Sequence, residues 1–351
     1  MKILLGISGG VDSAFSAEVL KAQGFDVEAA VLKMHGYTDV EGARRAAEKA
    51  GLKLHIIDCE EAFDRYVASY FAEEYRRGRT PSPCTVCNGA VKIAELVRYA
   101  EENGFDRAAT GHYARIGEEN GRYFIADGVD ERKNQSYMLW RLSQQQIKKL
   151  IFPLGDTLKS DVKEKAMSLG IESAGKPESQ DICFLPNGGY AEYVEKRLGK
   201  APEGNFIDLD GNVLGRHKGI IHYTVGQRRG LGIALGERMF VSGINPTDNT
   251  VTLQNADGEG VKEAALSDMV YQLMPESESI GEHRVAVKIR YAAKPVPATL
   301  IVNESGARVV FDTPMKAVTP GQSAVMYENG KILCGGVIAA EPAVAFCDGF
   351  V

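Results

Sequence analysis

Through the first third of the chain, short apolar runs alternate with helical periodicity. "KILLGI" (2–7) is an apolar run that ends in Gly and Ser. In "VDSAFSAEVLKAQG", which follows, Val11, Phe15 and Val19 share one helical face and Gly24 supplies a stop. "VEAAVLKM" (27–34) predicts a second strand, "VEGARRAAEKAG" a second helix and "LKLHIID" (52–58) a third strand. Helical patterns fill 60–77 and 88–103, and "RAATG" (107–111) reads as a further buried strand. Strands alternating with helices imply a parallel sheet covered on both faces, a doubly wound α/β domain. Ligands in such sheets sit at the carboxyl ends of the strands.

After about Pro186 the pattern changes. Residues 187–235 are rich in glycine and short turns, with a helical piece at "YAEYVEKRLG" (190–199). From roughly 238 onward short alternating segments follow: "MFVSGI", "TVTLQN", "HRVAVKIRY", "PATLIVN", "ARVVFD" and "QSAVMYENGKILCGGVI". The last holds an Asn329-Gly330 hairpin signal. This half predicts an antiparallel barrel or sandwich. The expected division is an α/β domain over 1–188, a small central domain over 189–262 and a β-barrel over 263–345.

Composition changes the picture little. The 351 residues are 44% hydrophobic and 25% charged, ordinary for a globular chain. No apolar run reaches the length of a membrane span, and "MKILLGISGG" is too short for a signal-peptide core. With six unevenly spread cysteines, the expectation is a reduced, cytoplasmic protein with no membrane partner. The net charge of −6 does not advertise nucleic-acid binding, yet 75–79, 215–230 and 283–294 are basic and free of acidic residues. They are either three solvated surfaces or a local face for a polyanion.

The strongest motif is "GISGGVDS", from Gly6 through Ile7, Ser8, Gly9, Gly10, Val11 and Asp12 to Ser13, between the first strand and first helix. Its glycines let the backbone approach a ligand, and amides at a helix start favour anions. Asp12 is odd for a bare anion cradle unless it caps the helix or meets a metal. Gly-Lys-Ser/Thr is missing, so this is not a Walker loop. The string resembles the PP-loop of the N-type ATP pyrophosphatases, which cleave ATP between its α and β phosphates and adenylate a substrate oxygen.

The cysteines add chemistry. Cys84 and Cys87 form a Cys-x-x-Cys pair, usable as a zinc half-site, a redox dithiol or a nucleophile, and no second pair completes a zinc site. With the helix read as starting at Asn88, Cys87 precedes it and the helix dipole lowers its pKa. Cys183 lies in "ESQDICFLP", either a reactive thiol or an inert one beside Phe184. Cys59, Cys334 and Cys347 are assigned to packing.

Ordered along nearly the whole chain, "GRTPSPCTVCN", "ATGHYAR", "RKNQSYMLWRLS", "IFPLG", "QDICFL", "YTVGQRRGLGI", "IRYAAKP" and "TPGQSAVMY" resemble the tRNA-specific 2-thiouridylase family of the MnmA type. The resemblance implies a tRNA-uridine 2-sulfurtransferase that adenylates the C2 oxygen of the wobble uridine, U34, and replaces that oxygen with sulfur, releasing AMP and pyrophosphate. It implies ATP with Mg²⁺ on Gly6 to Ser13, Leu32 and Gly111. Cys87 corresponds to the nucleophile and Cys183 to the persulfide carrier. Ser82, Pro83 and Cys84 fall where the family meets the target base. His112, Lys133, Asn134, Gln135, Arg290, Tyr291 and Gln322 match tRNA-contacting positions. The implied partners are the tRNA anticodon stem-loop and a cysteine desulfurase or sulfur-relay protein. Cys84 stands where some members carry aspartate, so Cys84, Cys87 and Cys183 could instead hold a [4Fe-4S] cluster that transfers sulfide. Rival readings are another PP-loop adenylating synthetase, an RNA-binding protein with a vestigial loop, and a zinc-stabilised binding module.

Overall fold

The computed structural model describes residues 1–175, 182–185, 189–233, 236, 238–255 and 260–340. Strands β1 (Lys2–Gly6), β2 (Asp26–Lys33), β3 (Leu54–Asp58) and β4 (Arg107–Thr110) are the four runs expected from the sequence. After the hairpin β5 (Ala114–Glu119) and β6 (Arg122–Asp127), the short β7 (Leu150–Ile151) completes a parallel sheet in the order β3-β2-β1-β4-β7. Alternate residues of β1 feed opposite layers. Leu4 packs with Leu32, Ile57 and Phe71, whereas Ile3 and Leu5 pack with Ala17, Leu20 and Ala109. All three β1 side chains are fully buried, each stabilising the sheet by roughly 1.5–3 kcal/mol. Helices α1 (Val11–Ala22) and α2 (Val40–Lys49) follow β1 and β2. The strand order reverses between β1 and β4, so a crevice opens beyond their carboxyl ends.

The central region holds β8 (Gly204–Ile207), β9 (Val213–His217), β10 (Met239–Asn245) and β11 (Thr250–Asn255) in the order β10-β11-β8-β9. The first two segments of the alternating pattern from 238 onward pair with each other, and the second pairs with β8, so that Val241, Val251 and Leu253 are buried beside Phe206.

The barrel itself comprises β12 (Val261–Tyr271), β13 (Gly281–Lys288), β14 (Val296–Asn303), β15 (Gly306–Met315), β16 (Ser323–Glu328) and β17 (Lys331–Ile338). Pairing of β12 with β17 closes it around Val287, Leu300, Val309 and Met326. Asn329 and Gly330 take φ of 49° and 75°, the left-handed pair that a two-residue hairpin needs.

The hairpin β5–β6 leaves the α/β domain and joins the barrel's last strand. Lys331 pairs with Ala126, and the Asp127 N–H donates to the Gly330 carbonyl at 2.8 Å. Gln272, wholly buried, fastens the seam. Its Oε1 accepts from the Ile125 N–H at 3.0 Å, and its Nε2 donates to the Leu139 and Trp140 carbonyls, each at 3.0 Å. Among the described residues, no helix is long and apolar enough to cross a membrane.

Candidate active site

The loop from Gly6 to Ser13 takes its shape from close backbone contacts. Gly9 has φ +77°, and a Cβ there would meet the Gly42 carbonyl carbon at 2.9 Å. Gly111, just past β4, packs so closely that a Cβ would lie 3.0 Å from the Asp12 carbonyl carbon. The Ser8 N–H donates to Ser13 Oγ at 3.1 Å, and that hydroxyl donates to the Gly10 carbonyl at 3.0 Å. Gly10 is the N-cap of α1 and offers no capping side chain, which leaves the first-turn amides to an anion.

The structure resolves the oddity of Asp12. Lys159 Nζ donates to both its carboxylate oxygens, at 2.6 and 2.7 Å, and the Tyr113 hydroxyl donates at 2.7 Å. The pair is neutral overall, so the loop presents amides without a free carboxylate to repel phosphate. Lys159 is 147 positions downstream of Asp12, and local sequence reasoning missed it. Asp12 and Asp39 are carboxylates on the crevice wall, the oxygen donors a hard cation such as Mg²⁺ takes alongside phosphate oxygens and water.

A cavity of about 520 Å³ opens over this loop, within the usual range for ligand sites. Gly6, Ile7, Ser8, Asp12, Ser13, Leu32 and Gly111 line it, as do His112, Gln135 and Cys183. Three of the expected ATP positions are not among the residues that line this cavity. Gly9 borders a separate cleft beside α2, Val11 is buried with Phe15, Tyr113 and Leu154, and Gly10 is spent on the helix start.

The thiols sit differently from expectation. The helix begins at Pro83, with Ser82 as N-cap, and runs through Pro83–Cys87, a π turn Asn88–Lys92 and Ile93–Glu102. Cys84 and Cys87 are therefore inside the helix, three residues apart on one face. Cys87 is buried, with its Sγ 3.8 Å from Met34 Sδ. Burial pushes its thiol up to about 11, against the pull of the Lys92 charge. This overturns the expected lowered pKa, because Cys87 lies inside the helix and not at its start, and desolvation dominates. Cys84 and Cys183 are exposed, and desolvation by the surrounding protein raises both, again opposed by Lys92. Phe184, buried against Phe63, Phe71 and Tyr193 with ring centroids 5.2–5.4 Å apart, anchors the segment that presents Cys183. Phe184 is thus the inert neighbour, and Cys183 is the accessible one. Gln180 and Asp181 of the same motif, and Cys347, lie outside the described residues. Among the described residues no three His, Cys, Asp or Glu side chains are placed to hold a metal ion, so the arrangement supports neither the cluster route nor a zinc site.

The tRNA positions divide. His112 is buried, with Nδ1 2.7 Å from Thr110 Oγ1; desolvation, helped by Lys92, pushes it down to about 3. Gln135 accepts from the Tyr113 N–H at 2.9 Å, Asn134 donates to Asp127 at 2.6 Å, and the Lys133 N–H donates to the Asp130 carbonyl. Pro83 is buried and Ser82 half-buried. Gln322 donates to the carbonyls of Thr80 and Pro81 at 2.9 and 3.1 Å, so it fastens the loop that leads to the thiols. Arg290 donates to the Ala317 carbonyl and to Thr319 Oγ1, and Tyr291 is exposed. A second cavity, about 700 Å³, lies where the three regions meet, lined by Thr80, Thr224, Arg228, Arg229, Arg290 and Gln322. Two of the basic stretches reach it. In the first stretch Arg76 pairs with Glu73, while Arg77 and Arg79 pair with the buried Glu74. Those acidic partners lie just upstream.

A glycine loop at the switch point of a parallel sheet, roofed by a cavity that also holds an accessible thiol, defines a PP-loop enzyme of the sulfur-transferring kind. Family models match in chain order: "tRNA methyl transferase HUP domain" over 1–187, "tRNA methyl transferase PRC-barrel domain" over 191–255 and "Aminomethyltransferase beta-barrel domain" over 263–338. The tRNA-specific 2-thiouridylase MnmA of Clostridioides difficile (strain 630) is 41% identical over 354 residues, covering 96% of this chain and 98% of that protein. The MnmA of Acetivibrio thermocellus is 40% identical over 356 residues, covering 96% and 99%. This chain belongs to the tRNA-specific 2-thiouridylase (MnmA) family. Among solved structures, a 4-thiouridine synthetase–RNA complex with bound ATP aligns at 21% identity over 56% of this chain and 50% of that one, with a TM-score of 0.34, too low to carry weight.

Proposed function

We propose that this chain thiolates C2 of the wobble uridine, U34, of tRNA at the expense of ATP. The observation that carries the reading is the shared cavity, in which the phosphate loop and the accessible Cys183 face the same space. ATP lies with its phosphates on the amides at the start of α1. The uracil O2 attacks the α-phosphorus, the α–β bridging bond breaks, and its electron pair leaves with pyrophosphate. O2 now carries AMP, and the ring gives up its N3 proton. A cysteine desulfurase or relay protein supplies sulfur beforehand by transferring the terminal sulfur of its own persulfide to Cys183. The Cys183 persulfide anion attacks C2, and the C2–O bond breaks with release of AMP. Cys87 then attacks the Cys183 sulfur and frees the C2 thiocarbonyl, which regains the N3 proton. The product is a Cys87–Cys183 disulfide, reduced by a dithiol before the next turnover. Burial keeps Cys87 mostly protonated until that last step, which suits a resolving role.

Mg²⁺ bound with ATP would face Asp12 and Asp39, and it supplies neutralisation of the phosphate charge. In this reading Ser82, Pro83 and Cys84 are the residues that meet the target base. The Arg228, Arg229 and Arg290 side of the second cavity would follow the anticodon phosphates. Withdrawal of U34 from its stack keeps the adenylate away from water. Mass spectrometry of tRNA nucleosides tests the reading. Cells lacking this protein lose 2-thiouridine at position 34, and wild-type but not C183S protein restores it. Unchanged 2-thiouridine in the deletion strain, with no duplicate enzyme present, would sink the reading.

A further inference from the structure

One cation at this site is not used by the chemistry above. Cys87 and Lys92 are five residues apart, and five residues of regular α-helix carry a side chain about 140° around the axis. The π turn Asn88–Lys92 lies between them. Its i→i+5 bonding widens the helix, so the fifth residue returns close to the starting face. Lys92 consequently lines the cavity that Ser8, Asp12, His112 and Cys183 also line.

Its surroundings set it apart from Lys159, the other lysine near the loop. Lys159 is neutralised by Asp12. Lys92 is half-buried, and among the described residues no carboxylate lies within ion-pair distance of it. A partly desolvated ammonium with no carboxylate beside it among the described residues is a ready partner for an anion. The groups within its electrostatic reach are the thiols of Cys84, Cys87 and Cys183, together with His112. It favours the thiolate form at each cysteine.

We propose that Lys92 is the cation that holds the negative sulfur of the Cys183 persulfide beside the phosphate loop at the moment of transfer, and that the π turn is what puts it there. The inference rests on the thiolation reading above. In the transfer the C2–S bond forms, the C2–O bond breaks, and its electron pair leaves with AMP. Lys92 keeps its proton throughout and contributes charge alone. It acts after adenylation, so its loss separates the two steps.

The test uses full-length, persulfide-loaded enzyme with tRNA and ATP in single turnover, with pyrophosphate and 2-thiouridine followed separately. K92M releases pyrophosphate at close to the wild-type rate but transfers sulfur about 10²-fold more slowly, and K92R recovers most of the loss. K92Q repeats the comparison with a polar tip should K92M not fold. Without tRNA or ATP, iodoacetamide alkylates Cys183 about 10-fold more slowly in K92M than in wild type. If K92M slows both steps equally, or neither, the proposal is wrong. Wild-type protein that releases no pyrophosphate with tRNA would instead overturn the thiolation reading, and the alkylation comparison would still decide what Lys92 faces.

Discussion

His112 and Asp12 show how single side chains set conditions for the whole site. The unfolded imidazole titrates near 6.5, whereas burial holds His112 down to about 3 in the folded protein. Its contribution to stability is therefore complete above about pH 6.5 and is lost as pH falls toward the folded value, by up to about 1.4 kcal/mol per pH unit. By NMR, the His112 ring carbons should stay flat from about pH 8 to about pH 5, and a midpoint near 6.5 would contradict its burial. Asp12 couples the loop to residue 159. D12A removes the carboxylate that pairs with the buried Lys159 ammonium and should cost roughly 2–3 kcal/mol in urea unfolding, below the value for a wholly buried pair because Asp12 is partly open to solvent. The K159M/D12A double variant should recover part of that loss, since the ammonium that Asp12 balanced is then gone as well. Equal stability of D12A and wild type would mean that the pair is incidental.

Helices and strands were legible where the signal is local. The loop string, the first four parallel strands and the Asn329-Gly330 hairpin all follow from residues close together in sequence. The helix that carries the thiols did not, although its start is marked by Ser82 and by Pro83 at the first helical position. Two prolines in "TPSPC" read more naturally as an extended entry, and that displaced the helix start past both cysteines. The hairpin β5–β6 also carries its signal, an Asn120-Gly121 pair with φ of 51° and 74°. What the local sequence does not carry is the pairing of β6 with β17, about 200 positions away. Lys159 and Lys92 escaped for related reasons: one acts at long sequence range, and the other depends on a π turn that no periodicity foretells. Two element-level predictions follow. Deleting Ala90 turns the π turn into an α turn and leaves the lysine four positions after Cys87, about 40° around the axis and so on the same face. Sulfur transfer should then stay well above the K92M level, with helical content by circular dichroism unchanged. G111A brings a Cβ to 3.0 Å from the loop backbone and should weaken ATP binding by about 10-fold, a cost of roughly 1–2 kcal/mol, measurable by calorimetry without tRNA.

At the scale of the whole molecule, the barrel reaches the chemistry through the backbone. The Thr80 N–H donates to the Pro320 carbonyl at 2.8 Å, and Gln322 closes on Thr80 and Pro81 from the same barrel loop. Q322A should lower the thiolation rate several-fold while ATP affinity stays at the wild-type value. A change confined to tRNA affinity would show that Gln322 serves the RNA and not the loop. Binding of tRNA should weaken steeply with salt, and R228A/R229A should flatten that slope by about two counter-ions. The seam between β6 and β17 bears on how the chain is made. On the ribosome the α/β domain emerges before the barrel, yet β6 has no barrel partner until Lys331 follows, about 200 positions later. Until then Trp140, which will lie against Gly335 so closely that a Cβ there would come within 2.5 Å of the ring, has nothing to cover it from that side. A nascent chain stalled before β17 therefore displays an open strand edge and a bare indole together, a natural target for holding chaperones.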